Sequence, residues 1–332
     1  MNLRSITVSG LIAGLIALAT LAPAQAAGFQ HVSVPGPDGK TLETGIWYPS
    51  TSRVGTQPLE LFTQMVAPNG AIAGDGLPLV VIASDARLSY WGHYDTALAL
   101  ADAGFVVAAV AHAGDDWRDQ ASALHIMDQP REIATAIDYL LATWPGHTQL
   151  DPKRVGIFGF GGGGFAALVA AGGEPDLPLI GPHCTEHPKE PLCAFIAADV
   201  TEPRAAPVVA FRRFHDTHMR AAVIAAPALG FTFTENGLKG VDIPVQLWRA
   251  GDDTLAPSPF YAEPVLDGLP QTPDYTVVTN AGHYAFIAPC SALFAAAAPA
   301  LCTSEPGFDR AAFHTRFNAA VVAFFEKTMA VK

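Results

Sequence analysis

Short apolar runs alternate with longer stretches of helical spacing along most of this chain. Residues 78–83, 105–110 and 155–160 are almost free of polar interruption, as strands covered on both faces require. Between them, 94–103 reads as a helix stopped at Gly104. Residues 131–144 place Ile133, Ile137, Leu140 and Leu141 at helical spacing, and 162–171 reads as a third helix. The chain opens with a predicted hairpin, 31–35 and 44–48, around the turn-forming Pro35, Gly36, Pro37 and Gly39. From Gly172 to about Thr217 the alternation breaks into prolines and short polar stretches, which predicts an inserted lid. Strands resume at 221–227, 244–248 and 275–279. A final helix, 308–329, carries Phe313, Phe317, Val321, Phe324 and Phe325 on or near one face. The pattern predicts one α/β domain over 27–332: a mostly parallel sheet with helices on both faces.

Composition narrows what such a domain does. The 332 residues are 50% hydrophobic and 15% charged, enough for a large core. The net charge of −12 repels phosphate backbones and argues against nucleic acid as a partner. The first 26 residues read as a secretory signal: Arg4, an apolar stretch over 11–21, Pro23, and a small-residue cleavage site ending at Ala26. No later run is long and apolar enough to span a membrane. The expected mature chain is periplasmic or secreted. There, the even count of four cysteines favours two disulfides, and Cys184–Cys193 and Cys290–Cys302 close the shortest loops.

The candidate chemistry lies at a glycine turn. Gly159, Phe160, Gly161, Gly162 and Gly163 fit the frame G-x-S-x-G, in which a serine nucleophile sits on a strand-to-helix turn. Here Gly161 stands at the serine's place, and the Gly162 N–H at that of an oxyanion donor. Asp253 follows the strand 244–248, with the spacing D-x-x-A-P favouring it over Asp252. His283 follows the strand 275–279. Elbow, acid and histidine thus come in the order of α/β-hydrolases. An elbow nucleophile is held at positive φ, a strain of ~1–3 kcal/mol that glycine avoids. Two substitutes for the serine are open: Ser84, at the end of the third central strand, and a water activated by His283. Returning the serine, as Gly161→Ser, is expected to restore some esterase activity and lower the melting temperature.

Three other motifs carry less. Gly159, Gly161 and Gly164 also fit the dinucleotide pattern G-x-G-x-x-G, but no strand-end acid follows, and no Lys-Ser or Lys-Thr makes a P-loop. His183, Glu186 and His187 match the zinc pattern H-x-x-E-H, with His215 and His218 as further ligands. Pro182 and Pro188 bracket that segment and argue against a helix there. No metal or cofactor is expected. Trp117 and Arg118 lie on the predicted site face as substrate contacts or as packing.

Taken together, the chain resembles the bacterial predicted dienelactone hydrolases related to platelet-activating-factor acetylhydrolases. The resemblance spans nearly all of the mature chain. It rests on segments 45–49, 103–107, 112–115, 138–141, 226–228 and 310–314, and on those around Asp253 and His283. It implies an α/β-hydrolase fold and a serine ester hydrolase for a small ester or lactone, with His283 as base and Asp253 as its orienter. Two departures touch the chemistry. The family's elbow serine is Gly161. Its Ser-His-Gly after the third strand reads Ser84, Asp85, Ala86, so the second oxyanion N–H falls to Ala86 or a neighbour. Asp85 beside a developing oxyanion is repulsive unless protonated or turned away. The resemblance with these departures implies activity that is weak, non-standard or lost, or a binder that keeps the pocket for a hydrophobic ester or acid.

Overall fold

The computed structural model describes residues 26–330 except 86–87, 113, 115–121, 123–124 and 200–213. Residues 1–25 of the expected signal segment over 1–26, together with Ala86, Trp117 and Arg118, therefore lie outside the described residues. Among the described residues, ten strands form one sheet: β1 (Ala26–Pro35), β2 (Thr41–Ser50), β3 (Gly55–Leu59), β4 (Phe62–Pro68), β5 (Leu77–Ala83), β6 (Val106–Val110), β7 (Leu150–Phe160), β8 (Met219–Ala225), β9 (Val245–Ala250) and β10 (Asp274–Val278). Their order is β10-β9-β8-β7-β5-β6-β2-β1-β4-β3. Neighbours from β10 to β6 run parallel, and β2 joins β6 antiparallel.

Parallel strands in the middle of a sheet have no solvent face, so their sequence is apolar throughout rather than alternating. Successive residues of β5 show this directly. Val80 and Ile82 enter one core layer, with the helices Tyr94–Asp102 and Arg310–Thr328. Leu79, Val81 and Ala83 enter the other, with Gln129–Ala142 and Gly162–Ala170. The last helix buries Phe313, Phe317, Val321, Phe324 and Phe325, the stripe read from sequence. The β1–β2 hairpin forms around the 3-10 turn Pro37–Gly39. The β3–β4 hairpin was not legible, because alternate residues such as Thr63 and Met65 face solvent and Pro58 interrupts the strand signal.

Between the helix Gly162–Ala170 and β8 the chain makes an excursion containing two helices, Ile180–Glu186 and Pro191–Asp199, bridged by Cys184–Cys193. The second bridge, Cys290–Cys302, spans the helices Ala292–Ala297 and Pro299–Cys302. Both close the short loops expected. No helix among the described residues is long and apolar enough to cross a membrane.

Two glycines let the elbow sit tightly on its neighbours. A Cβ on Gly159 would run into the Gly163 carbonyl, and one on Gly163 would lie 2.8 Å from the Ser84 oxygen and nearer still to that of Ala83. Those obstacles are backbone, which cannot rotate away. Gly163→Ala is therefore expected to destabilise by ~3 kcal/mol or more, at the top of the usual overpacking range. Gly181→Ala, with nothing within 4 Å of the added carbon, should cost little. Urea unfolding of the two variants checks the contrast.

Candidate active site

Three strand ends converge on one point. The β7 strand ends at Phe160, and Gly161 turns the chain at φ 57°, ψ −118° into the helix beginning at Gly162. Such a conformation suits glycine, as the elbow reading expects. Beyond β9, Asp253 lies in a turn where one carboxylate oxygen accepts from the N–H groups of Leu255 (2.9 Å) and Ala256 (2.8 Å). Its other oxygen is 2.8 Å from His283 Nδ1. His283 itself opens a 3-10 turn after β10 and packs against the Phe160 ring. Asp252 makes no such contact; its N–H donates to the Ala281 carbonyl.

The far nitrogen of His283 faces a carboxylate. His283 Nε2 lies 3.4 Å from Asp85 Oδ2. Asp85, two residues past the end of β5, accepts from the Gly162 N–H through Oδ1 at 2.7 Å. Its carboxylate fills the volume that a side chain on residue 161 would take. A Cβ there would stand 2.8 Å from Asp85 Cβ and closer to Cγ and Oδ1. Gly161 and Asp85 are thus complementary in space: the glycine makes the room and the aspartate occupies it.

Three expectations change as a result. Asp85 is not turned away from the oxyanion donor; it is that donor's partner, since an N–H at a helix N-terminus attracts a carboxylate. The room left by Gly161 does not await a water, because the carboxylate fills it. Gly161→Ser alone cannot simply return a nucleophile, since its β-carbon meets Asp85. Ser84 is buried, and its hydroxyl has no hydrogen-bond partner among the described residues; the group facing His283 is its neighbour Asp85.

Burial works against a charged ring at His283, but Asp253, and to a lesser degree Asp85, outweigh it and push the imidazole up to about 10. Burial raises Asp253 in turn, yet His283 and the two backbone N–H groups hold its carboxyl below the usual value. At neutral pH the ring therefore carries a proton on each nitrogen.

That pocket has a volume of about 440 Å³. Asp85, Gly162 and His283 line it together with Ile126, Leu229, Leu255 and Tyr284. Ile180, Leu192, Phe195 and Ile196 come from the helical excursion. A second hollow of about 220 Å³ reaches His283 from another side, past Thr254, Thr303, Ser304 and Glu305.

The zinc-like segment needs correction. His183, Cys184 and Glu186 do lie on a helix, Ile180–Glu186. Pro182 falls in its first turn, where no intrahelical N–H is required, and Pro188 falls past its end. His183 stacks on Phe231 at 3.7 Å and meets Glu190, which also accepts from the Tyr261 hydroxyl. His183, Glu190 and Cys193 come within ligand reach of one another, but Cys193 is bonded to Cys184 and offers no thiolate. His218 pairs with Asp216 instead.

No family model and no curated protein matches the chain. Among solved structures it is similar to a dienelactone hydrolase from Anabaena variabilis. The match has a TM-score of 0.52 and 17% identity, and it covers 92% of this chain and 99% of that one. At that identity the likeness concerns the fold, which is that of α/β-hydrolases.

Proposed function

We propose that this chain is an exported α/β-hydrolase-fold protein that binds a small, uncharged, apolar molecule of ester or lactone type, and that serine-type acyl transfer has been lost from it. One observation supports the reading: the Asp85 carboxylate fills the space that a side chain on residue 161 would take and holds the Gly162 N–H. An ester carbonyl approaching Gly162 finds that donor taken and meets negative charge where its own oxygen would develop charge. His283, already protonated, is poorly suited to act as a general base. The apolar walls still favour a small hydrophobic molecule, and two carboxylates against one imidazole disfavour a free acid. In this reading 172–217 is the lid, supplying one wall of the pocket through Ile180 and Leu192. The two disulfides fit an oxidising compartment, periplasmic or extracellular.

Three measurements test it. A fluorophosphonate probe should leave the protein unlabelled. Short p-nitrophenyl esters should turn over near the buffer background. Phenyl acetate should raise the melting temperature. Labelling at Ser84, or rapid ester turnover lost in Ser84→Ala, would establish a displaced serine nucleophile and sink the proposal.

A further inference from the structure

We propose that Asp85 is itself a covalent nucleophile, and that the electrophile it opens is a small apolar epoxide. The inference rests on the reading above that the pocket admits an uncharged apolar molecule down to Asp85.

Geometry is the main argument. The carboxylate lines the pocket with its two oxygens in different surroundings. Oδ1 accepts from the Gly162 N–H at 2.7 Å, and Oδ2 faces His283 Nε2 at 3.4 Å. Were Oδ2 bonded to carbon, Oδ1 would become an ester carbonyl oxygen already seated on a helix-terminal N–H. That is the position an oxyanion donor must hold when such an ester is hydrolysed. The arrangement that blocks a foreign acyl group thus prepares an acyl group made from Asp85.

Chemistry selects the electrophile. A carboxylate attacking an ester carbonyl must expel an alkoxide far more basic than itself and leave an anhydride, so the reverse reaction wins. Attack on a strained ring carbon needs only an electron pair and a proton for the oxygen released. His283 lies beside Oδ2 and carries that proton at neutral pH. A halide leaving group would not use it.

The steps balance without an outside reagent. An Oδ2 electron pair forms a bond to one ring carbon, and the C–O bond of the ring breaks. The ring oxygen takes the proton from His283 Nε2, giving a hydroxyalkyl ester of Asp85 and a neutral imidazole. Water then gives a proton to His283 and adds to Asp85 Cγ, placing negative charge on Oδ1 against the Gly162 N–H. Collapse breaks the bond between Cγ and the alkyl oxygen. The departing alkoxide takes the remaining proton of the carboxyl group. The products are a diol, the Asp85 carboxylate and protonated His283. The hollow past Thr303 and Glu305 gives this water a polar approach to His283. Asp253, bonded to His283 Nδ1, keeps the ring oriented through both steps.

The test uses the mature protein with styrene oxide in H₂¹⁸O, enzyme in excess. The expected result is an unlabelled diol together with one ¹⁸O in the peptide containing Asp85, because the diol takes its oxygen from the carboxylate. Asp85→Asn should lower diol formation by ~10⁴ or more. His283→Gln, which lacks both the proton for ring opening and the base for hydrolysis, should lower diol formation by ~10²-fold or more, and any hydroxyalkyl ester that does form on Asp85 should persist, read as an intact-mass increase of one epoxide. Label in the diol with none in Asp85 would mean direct attack by water and overturn the proposal. Stabilisation by phenyl acetate with neither diol nor adduct would overturn the nucleophile while leaving the pocket reading standing. Failure of phenyl acetate to stabilise the protein, again with no diol, would overturn both.

Discussion

The double variant Asp85→Ala/Gly161→Ser is expected to hydrolyse p-nitrophenyl acetate at least ~10²-fold faster than the natural chain, while Gly161→Ser alone gains nothing. In the function proposed above, Asp85 blocks acyl transfer in three ways. It occupies the space of a side chain at 161, it holds the Gly162 N–H, and it helps keep His283 protonated. Truncating it at Cβ removes all three, and the new hydroxyl then faces an imidazole that holds its proton less tightly. The nucleophile and its base together account for up to ~10⁶ in turnover in serine hydrolases, and a single oxyanion donor for ~10²–10³. A gain of ~10² is therefore a modest fraction of what the frame allows, with the second donor near Ala86 unassigned. The single variants make the stability side measurable. Gly161→Ala should lose ~2–6 kcal/mol, from positive-φ strain of ~1–3 kcal/mol and a clash of similar size. The clash part should return in Asp85→Ala/Gly161→Ala, giving a favourable coupling energy in a double-mutant cycle. Additive losses would mean that the two residues are independent.

Asp253→Asn should destabilise the protein by ~3–5 kcal/mol at pH 6, the usual cost of stranding one partner of a buried ion pair. The loss should shrink as pH rises. His283 is raised from 6.5 to about 10 on folding. Its contribution is thus fully present below about pH 6.5 and fades as pH climbs through about 10, where the folded ring also becomes neutral. The depressed Asp253 carboxyl works from the other side: its contribution is present above its unfolded value of 3.8 and disappears as pH falls below that. Between those limits the pair is intact. Chemical denaturation of both proteins from pH 6 to pH 10 follows the difference, and a gap that stayed constant would remove the charged imidazole from the account. NMR titration of the His283 ring gives an independent check. Its midpoint should fall in Asp85→Asn and fall further in Asp253→Asn, because Asp253 is the stronger of its two acidic partners.

How much of this was readable beforehand differs by feature. Uninterrupted apolar runs identified β5, β6 and β7, since strands buried on both faces leave no other pattern. The hairpin β3–β4, half exposed and interrupted by Pro58, left none. The tight strand-to-helix turn was legible from Gly159, Gly161 and Gly163, because close backbone approach and positive φ each exclude a β-carbon. Asp253 and His283 were legible from their positions after strands, and the structure brings them to 2.8 Å. The short cysteine loops pointed to the two bridges that form.

The sequence by itself determined the α/β order, the side-chain vacancy of the Gly161 turn and the positions of Asp253 and His283 after strands, because each depends on local spacing along the chain. Only the tertiary structure decided what fills the vacancy. Asp85 and Gly162 are 77 positions apart, and Asp85 and His283 lie on loops after different strands. Sequence spacing cannot say whether a carboxylate turns out to solvent or inward to a helix N-terminus and an imidazolium. The fold brings those two positive partners to one point, and their attraction, together with the space glycine leaves, draws Asp85 into the site.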